Sequence, residues 1–266
     1  MVILHVKKGD ESQFLFETLT NVPVADVTTD VAIIYNGRLK ISRICYEMEE
    51  LIKYGTLFPP EILGLTEEQV EELKLKDDWG EKCLPSGGWA FNKDPIGRRN
   101  GKQPNEKMQA VLNKTIDEAR AIVSKKQVQA GVCLTQKKVQ EALDLLRGAL
   151  MIVYPMGLPP HDVIRMELEN KEDLEGTQAS LEVIDVALAQ LWFSGKELTR
   201  GKKLSDFVGT NEKTKIMVKL SKIGQGPPAR EPVFSEEERK LMMAHAYRKQ
   251  EELKVCGLLS SQLNLS

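Results

Sequence analysis

An α+β fold follows from three features of the 266-residue sequence. Apolar residues alternate strictly at the N-terminal end, recur at three- and four-residue spacings through the middle, and return to strand-like runs in the last hundred residues. This length suits one large domain or two smaller ones. The expected architecture is an N-terminal β-hairpin and helix unit, a helical middle, a C-terminal domain with the order β-β-α-β-β, and a charged terminal helix.

Val2, Leu4 and Val6 alternate with Ile3, His5 and Lys7, and Gly9-Asp10 separates them from a second β-prone run, Phe14 to Thr18, which predicts a hairpin. From Val24 the spacing becomes helical through Val27, Val31, Ile34, Tyr35, Ile44, Met48, Leu51 and Ile52, with a break expected near Asn36-Gly37. Thr66-Glu67-Glu68-Gln69 has the form of a capping box, in which Thr66 accepts from a first-turn amide and Gln69 reaches back. A short acidic helix should follow to about Leu75, closing a unit over residues 1–76. Residues 77–105 are rich in turn formers, including Pro85-Ser86-Gly87-Gly88 and Gly97-Arg98-Arg99-Asn100-Gly101, and read as a long irregular loop. Two amphipathic stripes, from Met108 to Val123 and from Val139 to Leu146, predict a helical pair over 106–148. In the segment 149–223, Leu150 to Tyr154 and Val163 to Leu168 read as paired strands around Pro155 to Pro160. A helix over Gln178 to Ala189 and strands over Gln190 to Phe193 and Lys215 to Leu220 complete the order. Residues 224–266 hold a Gly/Pro linker, a helix capped at Ser235 that continues to about Leu253, and a tail.

Composition narrows the functional classes. Hydrophobic content of 41% with 29% charged residues is that of a globular chain, and 37 Lys and Arg against 39 Asp and Glu give a net charge of -2, so no global field draws the chain to nucleic acid or an anionic membrane. The longest apolar run, Ala149 to Val153, falls far short of the roughly 20 residues of a membrane span. The chain is therefore expected in the cytoplasm, without membrane insertion or nucleic-acid partners. Cys45, Cys83, Cys133 and Cys256 are scattered without any C-x-x-C, so neither a disulfide framework nor a zinc module is expected. Cys83 beside Lys82 is a weak candidate for a lowered thiol pKa. His5, His161 and His245 are too dispersed for a metal site, and no P-loop, nucleophile elbow or zincin motif occurs. No enzyme, metal or cofactor is predicted. The one basic, glycine-containing cluster, Arg98 and Arg99 between Gly97 and Gly101, has backbone able to approach a phosphate. It is carried forward as a contact surface, against the alternative of a plain solvated loop.

Leu191-Trp192-Phe193-Ser194-Gly195-Lys196-Glu197-Leu198, then Leu204-Ser205-Asp206-Phe207 and Lys215 to Leu220, resembles the second half of a ubiquitin-like domain, where a strand is followed by a tight turn at the positions of Ser194 and Gly195. The resemblance implies a β-grasp domain over 149–223, and the N-terminal hairpin and helix begin in the same way as such a unit. The C-terminal diglycine of the conjugated modifiers is absent, because Leu220 runs on into Ser221-Lys222-Ile223-Gly224, so a built-in binding module is implied. Strand alternation places Leu191, Phe193, Ile216, Val218 and Leu220 inward and sets Trp192, Met217, Lys215 and Lys219 on the outer face. An apolar pair flanked by lysines has the make-up of a partner-binding surface. The alternative is that an internal helix such as Met108 to Val123 covers Trp192 as core.

The whole chain also resembles the Kurly family, cilia- and flagella-associated protein 298. Val6-Lys7-Lys8-Gly9-Asp10-Glu11-Ser12-Gln13-Phe14, Leu73 to Cys83, Pro95-Ile96-Gly97-Arg98-Arg99-Asn100-Gly101 and Val153 to Pro160 look like that family's runs, as do Leu204 to Lys215 and Pro228-Ala229-Arg230-Glu231-Pro232. The sequence departs from the pattern from Val255 onward, where relatives continue with an acidic stretch and a basic, aromatic tail. The resemblance implies a non-enzymatic factor for building outer dynein arms, needed for cilium motility and for positioning cilia in planar cell polarity. It also implies partners among other dynein-arm assembly factors, including a MYND-finger protein, and a place in the cytoplasm and at the basal body. The competing expectation is a structural protein resident in the axoneme or basal body.

Overall fold

The computed structural model describes residues 1–229 and 239–250, apart from the side chain of Glu67. In chain order the elements are β1 (Val2–Lys8), β2 (Glu11–Thr18), α1 (Val24–Tyr54), α2 (Glu67–Glu72), α3 (Asp78–Lys82), β3 (Trp89–Phe91), β4 (Lys102–Pro104), α4 (Glu106–Val123), α5 (Gln136–Val153), α6 (Val163–Leu168), α7 (Gln178–Glu182), β5 (Ala189–Phe193), β6 (Lys196–Glu197), α8 (Ser205–Val208) and β7 (Lys215–Lys222). The α+β class is as expected.

The main sheet is knitted from both ends of the chain. Its order is β2-β1-β7-β5-β6, with β1 and β7 parallel and every other neighbour antiparallel. Val2, Leu4 and Val6 from one end and Ile216, Val218 and Leu220 from the other are all buried, so the two alternating patterns supply one apolar face. That face packs on α1, which runs unbroken for 31 residues. The break expected at Asn36-Gly37 does not occur, because Gly37 serves packing: a Cβ there would sit 2.6 Å from Val139 Cγ1 of α5. The outer edge of the sheet is covered where Leu134 N donates to Leu15 O at 2.8 Å, which removes exposed pairing groups.

Two expected strands are helices. Leu150 to Val153 form the last turn of α5, in which Leu146, Ala149, Leu150 and Val153 are buried at helical spacing. Val163 to Leu168 are α6, capped by Asp162, whose Oδ1 accepts from Ile164 N at 3.0 Å. The hairpin beside β5 and β7 is therefore β1–β2, drawn from the other end of the chain. Residues 55–188 lie between α1 and β5 and carry α4 and α5, which pack on each other and on α1. The expected helix over Gln178 to Ala189 shortens to α7 followed by a 3-10 turn at Val186–Leu188. The expected irregular loop contains α3 and the β3–β4 pair. Two features match their sequence signals closely. Thr66 and Gln69 form both bonds of the capping box. Ser194 and Gly195 turn β5 into β6 with φ of 50° and 77°, the doubly left-handed geometry of a two-residue hairpin.

The chain divides at Pro228. Beyond it, residues 239–250 are helical, consistent with the charged helix, while its expected cap at Ser235 and the tail from Val255 lie outside the described residues.

Candidate functional site

On β5 and β7 the period of two sorts the side chains as expected. Leu191, Val218 and Leu220 are buried, and Ile216 is 7% exposed. Register places Trp192 opposite Lys219 and Met217 opposite His5, so all four share the face turned away from α1. Their accessibilities differ. Lys215 is exposed and Met217 is 39% exposed, whereas Trp192 is half-buried. Lys219, expected as an exposed flank, is only 8% exposed. Its Nζ reaches Asp10 Oδ1 at 3.1 Å. Trp192 Nε1 is buried with no hydrogen-bond partner among the described residues, an unmet donor in a side chain otherwise suited to a contact surface. The helix weighed as its cover, α4, packs against α1 and α5.

The basic cluster behaves differently. Asp94 folds the loop around its own carboxylate, which accepts from the amides of Ile96, Arg98 and Arg99 at 3.0, 2.8 and 3.0 Å. The amide nest that a phosphate would need is thus filled from within. Arg99 is 3% exposed, which removes it from any contact surface. Its Nη1 donates to Gly55 O at 2.9 Å, and its Nη2 donates to Glu47 Oε2 at 2.6 Å. Asp162, fully buried, lies 3.8 Å from Nη1. Burial pushes the Asp162 carboxyl up, and the Arg99 guanidinium opposes that shift. Arg99 therefore fastens the loop to the end of α1 and to the cap of α6. Arg98, next in sequence, remains 45% exposed and lies 3.8 Å from Glu47.

The junction depends on close backbone approach at Gly55, whose φ is 76° and where a Cβ would meet Lys102 O at 2.6 Å. Sequence reasoning missed Glu47, Gly55 and Asp162 because they lie far from Arg99 along the chain. The one local signal was the Pro159-Pro160-His161-Asp162 run, a helix start read instead as the rim of a hairpin.

The remaining titratable candidates are spent structurally. Desolvation raises the Cys83 thiol rather than lowering it, against the opposing charge of Arg165, and burial pushes Cys45 up to about 11. His5 Nε2 lies 3.0 Å from Ser12 Oγ, and His161 Nε2 lies 3.0 Å from Leu57 O. Among the described residues no three His, Cys, Asp or Glu side chains are grouped to hold a metal, and no helix is long and apolar enough to cross a membrane.

Comparison with known proteins gives this architecture its context. The family model described as cilia- and flagella-associated protein 298 matches residues 189–258, which include β5, β6 and β7. The mouse protein of that name is 66% identical over 90% of this chain and 82% of its own length. The human protein is 65% identical over 88% and 81%, and the Drosophila protein is 56% identical over 96% and 87%. No solved structure matches. An α+β protein with such relatives falls among the cilium- and flagellum-associated proteins. The chain belongs to the cilia- and flagella-associated protein 298 family.

Proposed function

We propose that this protein is a non-enzymatic adaptor in the assembly of outer dynein arms, and that it acts in the cytoplasm and at the basal body before the arms enter the axoneme. The observation that carries the reading is family membership sustained along most of the chain, which adds a cilium-related role to the assembly function implied by the sequence resemblance. The fold fits an adaptor. The strand order β2-β1-β7-β5-β6, with a parallel central pair and α1 on one face, supports reading these elements as a β-grasp scaffold, with residues 55–188 as an insertion between its helix and its third strand. The outer face around Trp192 and Met217 is the proposed contact for another assembly factor, a MYND-finger protein among them. A role in positioning cilia within an epithelium belongs to the same reading.

Deleting the gene in ciliated cells and staining for dynein heavy chains tests it. Cilia should be present and lack outer arms, with the protein itself recovered mainly from the cell body. Normal outer arms in immotile cilia, or a protein retained on microtubules through detergent and salt extraction, would defeat the assembly role in favour of an axonemal resident.

A further inference from the structure

Between α2 and the 91–101 segment lies a groove of about 810 Å³ that the outer face of the sheet does not involve. Phe58, Ile62, Leu65, Val70, Leu75 and Phe91 line it. Phe91 is 70% exposed and its ring lies over Gly101, where a Cβ would be 2.9 Å from Cε2. A large aromatic held open to solvent at the mouth of an apolar cleft is what a groove for a partner side chain presents.

The charge left at this groove is negative. Of its basic lining residues, Arg99 is consumed by Glu47 and Gly55, and Lys93 is already engaged. The Asp94 carboxylate is used by three loop amides, and Asp77 caps α3 through Gly80 N at 2.8 Å. The side-chain carboxylates of Glu68 and Glu71, both exposed on the α2 wall, make no hydrogen bond or ion pair among the described residues. They sit at the lip of the cleft with their charge unspent. We propose that the groove docks a peptide segment of a partner protein that inserts one or two large apolar side chains and carries Lys or Arg beside them. Apolar insertion supplies the affinity, and the two carboxylates select a basic flank and exclude an acidic one. This deepens the adaptor reading and rests on it for the identity of the partner as an assembly component, while the chemistry of the groove stands on the residues just named.

Phage-displayed random peptides selected on the whole protein provide the test, with the Glu68→Lys/Glu71→Lys double variant and Phe91→Ser as counter-targets. All three side chains are exposed, so the variants should unfold at the temperature of the parent. Peptides enriched on the parent should pair aromatic or aliphatic anchors with Lys or Arg, and their synthetic forms should bind the double variant and Phe91→Ser at least about tenfold more weakly. Enriched peptides with acidic flanks, equal binding to parent and variants, or no enrichment that the variants lose would each overturn the proposal. None of these outcomes bears on outer-arm assembly, which the heavy-chain staining judges without any peptide.

Discussion

Two short basic runs, Arg98 to Lys102 and Lys215 to Lys219, look alike in sequence and meet opposite fates. In β7 the backbone is regular, so position decides direction: Lys215 and Met217 emerge on one face while Ile216 and Val218 go into the core. Around Arg98 the backbone is wound on Asp94 and has no period. Neighbouring arginines therefore part company, one into the junction of α1 and α6 and the other into solvent. The difference teaches that a strand turns charge into a surface, whereas an irregular loop can turn the same charge into a buried fastener. Even within β7 the rule covers direction only, since Lys219 points outward and is still covered.

The sharpest way to break this contrast is to remove each arginine in turn. Arg99→Ala leaves the buried Asp162 without its opposing charge, and urea unfolding should show a loss of about 3–5 kcal/mol, the usual cost of stripping one partner from a buried ion pair. Arg98→Ala should change stability by no more than about 0.5 kcal/mol. Equal effects from the two would erase the distinction between fastener and surface. Trp192 sharpens the other side of the comparison. Because it is half-buried, Trp192→Ala should cost roughly 2 kcal/mol, below the 3–5 of a fully buried aromatic. Trp192→Phe, which deletes the unpartnered Nε1–H, should unfold within about 0.5 kcal/mol of the parent. A loss as large as that of a core aromatic would make the outer face a covered one. A smaller loss than at Arg99 or Trp192→Ala is expected at the β5–β6 turn. Gly195 has φ of 77° and open space around the position of a Cβ, so Gly195→Val pays only for the left-handed backbone, about 1–2 kcal/mol by thermal unfolding. Unchanged unfolding would remove the turn from the forces that set this edge of the sheet.

What was legible in the sequence follows from how locally each signal is generated. β1, β5 and β7 announce themselves by alternation, the start of α2 by Thr66 and Gln69, and the β5–β6 turn by Ser194-Gly195, because each needs only residues within a few positions. Leu150 to Tyr154 misled for a specific reason: five apolar residues in a row satisfy a buried strand and the end of a helix equally. The spacing of Leu146, Ala149, Leu150 and Val153 belongs to the helix that precedes them. The pairing of β1 with β7 has no local signature at all, since alternating Val and Leu would fit any neighbour of the right length. Arg99 was singled out for its charge, and nothing near it in sequence records the carbonyl of Gly55 or the carboxylate of Asp162. The groove beside α2 was hidden likewise, for its walls come from separate stretches and its unspent carboxylates are visible only once their neighbours' bonds are known.

Because Val6 pairs with Val218, the middle of the sheet is missing for most of the chain's synthesis. Roughly 200 residues must be added after β1 leaves the ribosome before its parallel neighbour exists, on the order of 10–40 s at ordinary elongation rates. Throughout that interval the hairpin and α1 hold an open strand edge and a half-covered apolar face. The nascent protein thus carries the kind of unpaired edge that invites aggregation well before it can serve any partner of its own, and a message cut short anywhere ahead of β7 yields a product without the strand that joins β1 to β5.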